Sequence, residues 1–253
     1  MKRKIIMLLA TACISLQAAG MDWRGLTDSL TYFARLGYNV GGTAPVGLPA
    51  SIRKLNSYKI PANISLALDV YKPLDGRWGI MAGLHFGNKG METDARVKSY
   101  YMEITQGGES LEGYFTGNVL TKVEEWLVTI PIEAVYDVSH SVRLRVGPYV
   151  SYVLSHHFHG DAYDGYLRRG TPVGVRVDLG NEPETRGSYD FSEHMRKFQF
   201  GLQAGMDYQF SRRWGAYAAL SWGLTGVFKS DFHTIEQTLY PIYGTIGLSY
   251  KFR

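Results

Sequence analysis

The chain has 253 residues and a formal net charge of +4, and 45% of its residues are hydrophobic and 20% charged. These values are those of an ordinary globular protein with one large domain or two small ones. Three of the 27 basic residues lie together at positions 2–4, so the charge without them is only +1, which argues against nucleic-acid binding. The 29 Gly, 18 Tyr, 11 Phe and 5 Trp residues favour strands and tight turns over helices.

The N-terminus predicts a secretory signal peptide over residues 1–20. The basic residues precede an apolar stretch at residues 5–16, which is too short to cross a bilayer as a helix of about 20 residues. Small residues at positions 18–20 suit cleavage. Cys13 is the only cysteine and lies inside this segment, so we expect a mature chain without disulfides.

The mature chain, residues 21–253, is predicted to form one domain that begins with a short helix at residues 21–30 and continues as strands. In FQFGLQAGMDYQF, residues 198–210, every even position is apolar and every odd position carries Gly, an amide or an acid. Such alternation is typical of a strand with two unlike faces. The eight strands predicted on this pattern cover residues 32–42, 60–71, 78–87, 126–138, 142–154, 198–210, 213–225 and 242–252.

These strands are about twice as long as the five or six residues usual in globular proteins, and they match the nine to eleven residues with which a tilted strand crosses a membrane. Short turns follow the second, fourth and sixth strands, with Asp75-Gly76 as the clearest turn signal. The other connections are long, and we expect the second and third to extend their strands beyond the membrane. They cover residues 43–59, 88–125, 155–196 and 229–241.

The alternation of short and long connections predicts an all-β fold: an eight-stranded antiparallel up-and-down transmembrane β-barrel with short periplasmic turns and long extracellular loops. In a soluble barrel the polar face would be rich in Lys and Glu. Here it carries Gly, Ser, Gln and Tyr with a few charges of mixed sign, which suits the interior of a narrow barrel. The charged groups expected to pair in this lumen are Arg35, Asp69, His85, Glu133, Arg143, Arg145 and Asp207.

The tryptophans predict the two edges of the membrane. Trp78 and Trp214 directly follow short turns, where they would mark the inner interface. Trp126 and Trp222 lie nearer the long connections, as an outer aromatic girdle requires.

Catalytic chemistry has little support in the sequence. No HExxH, GxSxG, Walker or CxxC pattern is present, and we predict no catalytic residue, no cofactor and no metal. The weak candidates for a metal are His157 and His159, since histidines two apart on one strand can chelate an ion. His194 is expected near them, across a hairpin.

Several segments together resemble a known family: RLGYNVGGTAP, GLQAGMDYQF, RWGAYAALSWGLTGVF and YGTIGLSYKF, behind a signal peptide. The chain is similar to the PorT-like outer-membrane β-barrel domain family of Bacteroidetes, small barrels related in architecture to OmpA and OmpW. The resemblance implies export to the cell outer membrane, with outer-membrane lipid, lipopolysaccharide and the barrel assembly machinery as partners. Many such barrels end on an aromatic residue, whereas here Arg253 follows Phe252.

The predicted function is that of a non-enzymatic outer-membrane barrel with an envelope-structural or surface-recognition role. The long connections carry aromatics such as Phe115 and Tyr189, which could anchor a surface ligand or protein partner or pack on one another. One alternative is a narrow channel or hydrophobic-solute uptake barrel with a wet path past Gly147, Gly205 and Gly223. Two others are a membrane-embedded hydrolase using the histidine pair and a secretion-accessory barrel.

Overall fold

A computed structural model describes residues 29–47, 49–232, 234–235 and 237–252. The predicted signal peptide and most of the predicted helix at residues 21–30 lie outside these residues. Contacts divide the chain into Met1–Leu30 and Thr31–Arg253. Of the first unit only Ser29 and Leu30 are described, so all the described strands belong to the second unit.

The second unit is built almost entirely from strands. Two short 3-10 turns, Pro183–Thr185 and Ser192–His194, are the helical elements among its described residues. No described helix has the length and apolar character needed to cross a membrane. The strands are β1 Thr31–Pro45, β2 Ile52–Lys59, β3 Ile64–Pro73, β4 Trp78–Gln106, β5 Glu109–Asp137, β6 Val142–Arg169, β7 Arg176–Leu179, β8 Gly187–Asp190, β9 Phe198–Gln209, β10 Trp214–Gly223 and β11 Leu239–Lys251.

Eight of these strands pair in a closed ring. The antiparallel pairings run in chain order through β1, β3, β4, β5, β6, β9, β10 and β11, and β11 pairs back onto β1. The closing register runs from Phe33 opposite Lys251 to Pro45 opposite Leu239. This connectivity is that of an up-and-down barrel, and it confirms the predicted all-β antiparallel barrel fold.

The apolar face of every barrel strand points outward. In β9, Phe198, Phe200 and Leu202 are about half exposed, whereas Gln199 and Gln203 are buried. Soluble proteins bury their apolar face, but here apolar side chains are exposed around the whole ring, from Leu36 in β1 to Leu248 in β11. A face of this kind needs an apolar solvent, so it forms the lipid-facing belt.

Three strands continue far past this belt. β4 and β5 stay paired up to a two-residue turn at Gly107 and Gly108, whose φ angles of 59° and 87° suit glycine. β6 continues beside β5 to Arg169. The short turns lie at the opposite rim, which faces the periplasm in barrels of this architecture. We call the continuation the outer extension: residues 88–106 of β4, 109–125 of β5 and 155–169 of β6, with β2, β7 and β8 paired to its edges.

The outer extension has its own apolar core, separate from a small apolar cluster of Phe33, Tyr71, Met81 and Val135 inside the barrel. Its strands point apolar residues inward and polar residues outward, as a water-soluble structure does. The buried members are Met91, Val97, Met102, Ile104, Leu111, Phe115, Val119, Val123, Phe158, Ala162, Leu167, Leu179, Tyr189, Phe191, Met195, Val227 and Phe228.

Candidate functional site

The barrel interior is filled by a network of ion pairs. Arg35 Nε lies 2.5 Å from Asp69 Oδ2, and Arg35 Nη1 lies 2.5 Å from Asp207 Oδ1. Arg145 joins the same Asp207 at 3.2 Å and contacts Glu133 at 2.6 Å. Asp207 therefore bridges two arginines, and each arginine keeps a second carboxylate of its own.

Each member of this network comes from a different strand. Arg35, Asp69, Glu133, Arg145 and Asp207 lie on β1, β3, β5, β6 and β9. His85 of β4 completes the group, with Nε2 at 2.7 Å from Asp69 Oδ1. The network ties six of the eight barrel strands together across the lumen.

Glycines beside the network make room for it. A Cβ atom added at Gly83 would lie 1.9 Å from Asp69 Oδ1, and one at Gly205 would lie 2.8 Å from Arg145 Nη2. A side chain at either position would displace a charged group. The high glycine content on the polar face therefore reflects close packing inside a narrow barrel.

Arg143 is the one predicted lumen residue that lies apart from this network. It pairs with Asp137 at 2.7 Å near the short-turn rim, and its guanidinium lies 4.1 Å from the centre of the Tyr71 ring. Both side chains of the pair are partly exposed, at 23% and 32%. The structure thus brings six of the seven predicted residues into one network.

A second polar layer, which the sequence analysis missed, lies on the outer side of the network. Glu125 accepts a hydrogen bond of 2.8 Å from Gln199 Nε2. Lys89 Nζ lies 5.2 Å and 5.6 Å from the ring centres of Tyr243 and Tyr149. Both charged groups are buried. The sequence contains a signal for both residues. Lys89 and His85 are separated by an even number of positions along β4, as are Glu125 and Glu133 along β5, so each pair shares one face of its strand.

Small cavities lie at three levels of the interior. One of about 60 Å³ is lined by Arg143 and Asp207, and one of about 40 Å³ by His85 and Lys89. The third, of about 120 Å³, lies in the outer extension. The glycines expected to border a wet path are packed instead: Cβ atoms at Gly147 and Gly223 would lie 2.0 Å from Ile132 O and 2.5 Å from Pro241 Cγ.

The cavity in the outer extension has an apolar lining. None of its lining residues carries a charge, and eleven have only aliphatic, thioether or phenyl side chains. The residues around this outer cavity are Thr43, Pro45, Ile52, Met91, Thr93, Ala95, Val97, Tyr100, Met102, Val119, Thr121, Phe158, Tyr189, Phe191, Ile235 and Leu239.

Tyr189 of β8 holds one wall of the outer cavity. Its hydroxyl donates to Leu120 O at 2.9 Å and lies 2.7 Å from Thr121 Oγ1. Its ring stacks on Phe191, with 5.1 Å between ring centres. Burial raises the pKa of the Tyr189 hydroxyl. Phe115 is likewise fully buried, so these loop aromatics pack within the outer extension and do not stand free.

The outer surface of the extension is tied by polar contacts. Tyr163 OH donates to Asp94 Oδ2 at 2.8 Å, and burial together with this carboxylate raises the pKa of Tyr163 to about 12. The guanidinium of Arg186 lies 4.8 Å from the centre of the same ring. Lys59 of β2 pairs with Glu92 of β4 at 2.8 Å. The extension is therefore an ordered structure and not a set of open loops.

The histidine candidates do not come together as a metal site. His157 and His159 are both exposed on the outer surface of β6, opposite Glu124 and Lys122. His194 lies in the turn before β9 and stacks on Phe232 at 4.7 Å. Within the described part of the chain, no group of three or more His, Cys, Asp or Glu residues could hold a metal ion.

The four tryptophans lie at the edges of the lipid-facing belt. Trp78 and Trp214 are about half exposed at the starts of β4 and β10, each beside a tyrosine ring about 5 Å away. Trp222 is exposed at the outer end of β10. Trp126 lies opposite Asn88, where the belt gives way to the outer extension, and its Nε1 donates to Glu124 Oε1 at 3.1 Å.

Solved structures of other outer-membrane proteins are similar to this chain. No curated protein matches the sequence. Among solved structures, the chain is similar to the attachment invasion locus protein Ail of Yersinia pestis in complex with the heparin analogue sucrose octasulfate, at 10% identity and a TM-score of 0.39, covering 88% of this chain and 97% of Ail. It is also similar to OprG from Pseudomonas aeruginosa, at 12% identity and a TM-score of 0.31, covering 88% and 96%.

A protein family also matches most of the sequence. The match spans residues 26–229, and the family is described as the outer membrane protein beta-barrel domain. Its description agrees with the closed ring of strands and with the exposed apolar belt. The chain therefore belongs to the outer membrane protein beta-barrel domain family, and its place is the cell outer membrane.

Proposed function

We propose that the protein is a non-enzymatic barrel that recognises a ligand or partner at the cell surface through its outer extension. The observation that carries this proposal is that β4, β5 and β6 continue past the lipid-facing belt and enclose a second apolar core. A barrel that only filled the membrane would need no such structure. Burial of one large apolar side chain contributes about 1.5–3 kcal/mol, so this core gives the extension a lasting shape that a partner can recognise.

The membrane part acts as an anchor under this proposal. Arg35, Arg145 and their carboxylates fill the lumen, and the layer of Lys89 and Glu125 lies outside them. An ion entering the lumen would have to break buried pairs that are held from six strands. These contacts favour recognition over the alternative of a narrow channel.

We also propose the PorT-like branch of Bacteroidetes barrels as the narrower group of this chain. The segments RLGYNVGGTAP and YGTIGLSYKF support this placement. The expected partners are outer-membrane lipid and lipopolysaccharide around the belt and the barrel assembly machinery during insertion. A hydrolase at His157 and His159 has no support, since both side chains are exposed on the outer surface of β6.

Cysteine labelling of intact cells tests the placement of the outer extension. The predicted mature chain has no cysteine, so single substitutions give a clean signal. Glu109→Cys places a thiol at the tip of the extension, where the glutamate side chain is 80% exposed. His140→Cys is the matched control in the short turn between β5 and β6. A membrane-impermeant maleimide should label the first variant in intact cells and the second only after the outer membrane is opened.

The reverse labelling pattern would refute the proposal, because the extension would then face the periplasm. Recordings in planar bilayers test the anchor role separately. The purified barrel should give no channel steps, whereas a stable ohmic conductance would favour the narrow channel. The two experiments are independent, since a conducting barrel could still expose its extension.

A further inference from the structure

We propose that the outer cavity binds a compact apolar molecule with the bulk of one six-membered aromatic ring. This inference rests on the proposed function and adds a ligand class to it. The cavity is lined mainly by β4, with further residues from β1, β2, β5, β6, β8 and β11 and from the segments that follow β8 and precede β11. It lies in the part of the protein that projects from the membrane.

The chemistry of the lining selects against charged and strongly polar molecules. No charged side chain lines the cavity. Among the polar members, Thr121 and Tyr189 are engaged with each other, and Tyr189 also donates to a backbone carbonyl. A charged ligand would lose its hydration without meeting an opposite charge, which makes its entry costly.

The aromatic and sulfur side chains favour a ring over an alkyl chain. Phe158 and Phe191 lie 6.2 Å apart, and each offers a ring face or edge to the cavity. Met91 and Met102 add polarizable thioethers, which make favourable contacts with aromatic rings. Aromatic pairs gain about 0.5–1.5 kcal/mol beyond their buried area.

The volume of the cavity sets the size of the ligand. At about 120 Å³ it is close to an engineered apolar cavity of about 150 Å³ in another protein that stays dry and binds benzene. A long acyl chain or a fused ring system would extend beyond this volume. Ile52 and Leu239, which pack on the core while partly exposed, mark an edge from which a small molecule can enter.

Methionine-methyl NMR with benzene as the probe tests the proposal. The barrel would be folded in lipid nanodiscs with ¹³C-labelled methionine methyl groups. Met91 and Met102 line the outer cavity, Met81 lies buried against the ion network, and Met206 faces lipid. The chemical shifts of the Met91 and Met102 methyl groups should change with the benzene concentration and reach saturation. Met206 should shift only linearly, as benzene partitions into lipid, and Met81 should not move.

A cavity-filling variant provides the matched comparison. Ala95→Leu adds three carbons to the lining. It should raise the benzene concentration that gives half of the maximal Met91 shift at least about tenfold. Ala82→Leu makes the same change on the lipid-facing side of the same strand and should leave the binding unchanged. Linear shifts at Met91 and Met102 in the natural chain would overturn the inference even if Ala95→Leu failed to fold. The labelling of Glu109→Cys would still decide the proposed function.

Discussion

The buried ion network predicts an asymmetric response to the loss of either member of one pair. Glu133 and Arg145 are almost completely buried and lie 2.6 Å apart. The substitution Glu133→Gln keeps the shape of the side chain but removes its charge. Arg145 then keeps only Asp207, at 3.2 Å, and Asp207 is already paired with Arg35.

The expected cost of Glu133→Gln is about 3–5 kcal/mol, the range for removing one partner of a buried pair. Arg145 cannot escape this cost, because a guanidinium does not release its proton in proteins. Arg145→Met should cost less, since the remaining carboxylic acid can be neutralised by a proton and also accepts a hydrogen bond from Gln203 Nε2 at 3.2 Å. The double variant should cost less than the sum of the two, because it leaves no uncompensated cation.

The pair of Asp137 and Arg143 is the control. It joins the same two strands at 2.7 Å, but its side chains are partly exposed to water. Asp137→Asn should therefore cost only about 0–1 kcal/mol. Unfolding in denaturant, followed by tryptophan fluorescence in lipid vesicles, measures all four variants. Equal costs for Glu133→Gln and Asp137→Asn, or strict additivity in the double variant, would refute the reasoning.

Three further predictions concern the belt, the lumen and the extension. Leu202→Arg should cost about 2–4 kcal/mol in the same unfolding assay. Phe210→Arg, directly after the end of β9, should cost about 0–1 kcal/mol, and equal costs would contradict the placement of the belt. Gly83→Ala should lower stability by about 1–3 kcal/mol, because its Cβ would collide with Asp69. Since burial raises the pKa of Tyr189 in the folded protein, its contribution is complete below about pH 10 and is lost as the pH rises further. Near-ultraviolet circular dichroism should show this alkaline loss, and Tyr189→Phe should reduce it.

The barrel itself was predictable from sequence because the membrane imposes a strict two-residue period. Lipid-facing positions must be apolar, and lumen positions must carry a small side chain or a polar one with a partner. β9 and β10 can therefore be predicted from their residues alone. The lumen charges could be named for the same reason. Their pairing could not, because Asp207 meets Arg35 only once β11 has closed the ring on β1.

The outer extension was harder to predict from the sequence, for two physical reasons. First, its strands contain irregularities that break the two-residue period, one between Val97 and Tyr100 and another between Thr116 and Asn118. Ser99 adopts a φ of 53° at the first of them. Second, β7 and β8 have four residues each, too few to show a periodic pattern. The sequence pattern therefore places Lys89 and Glu125 in a long connection, although they lie inside continuous strands.

Between Trp78 and Val97, β4 passes from lipid into water without changing the phase of its alternation. Up to Phe86 its outward positions are mainly apolar, and its inward positions are Gly79, Gly83 and His85 together with the single apolar residue Met81. From Met91 to Val97 the inward positions are mainly apolar, whereas the outward positions carry charges such as Glu92 and Arg96. The pairing with β5 shows no register shift in this stretch before Val97, so only the polarity of the two faces is exchanged there. The exchange falls at Lys89, next to Trp126 on the paired strand, where the surrounding solvent changes from lipid to water. A recognition surface can therefore be built directly on a membrane barrel, because the strand that anchors it also supplies its core.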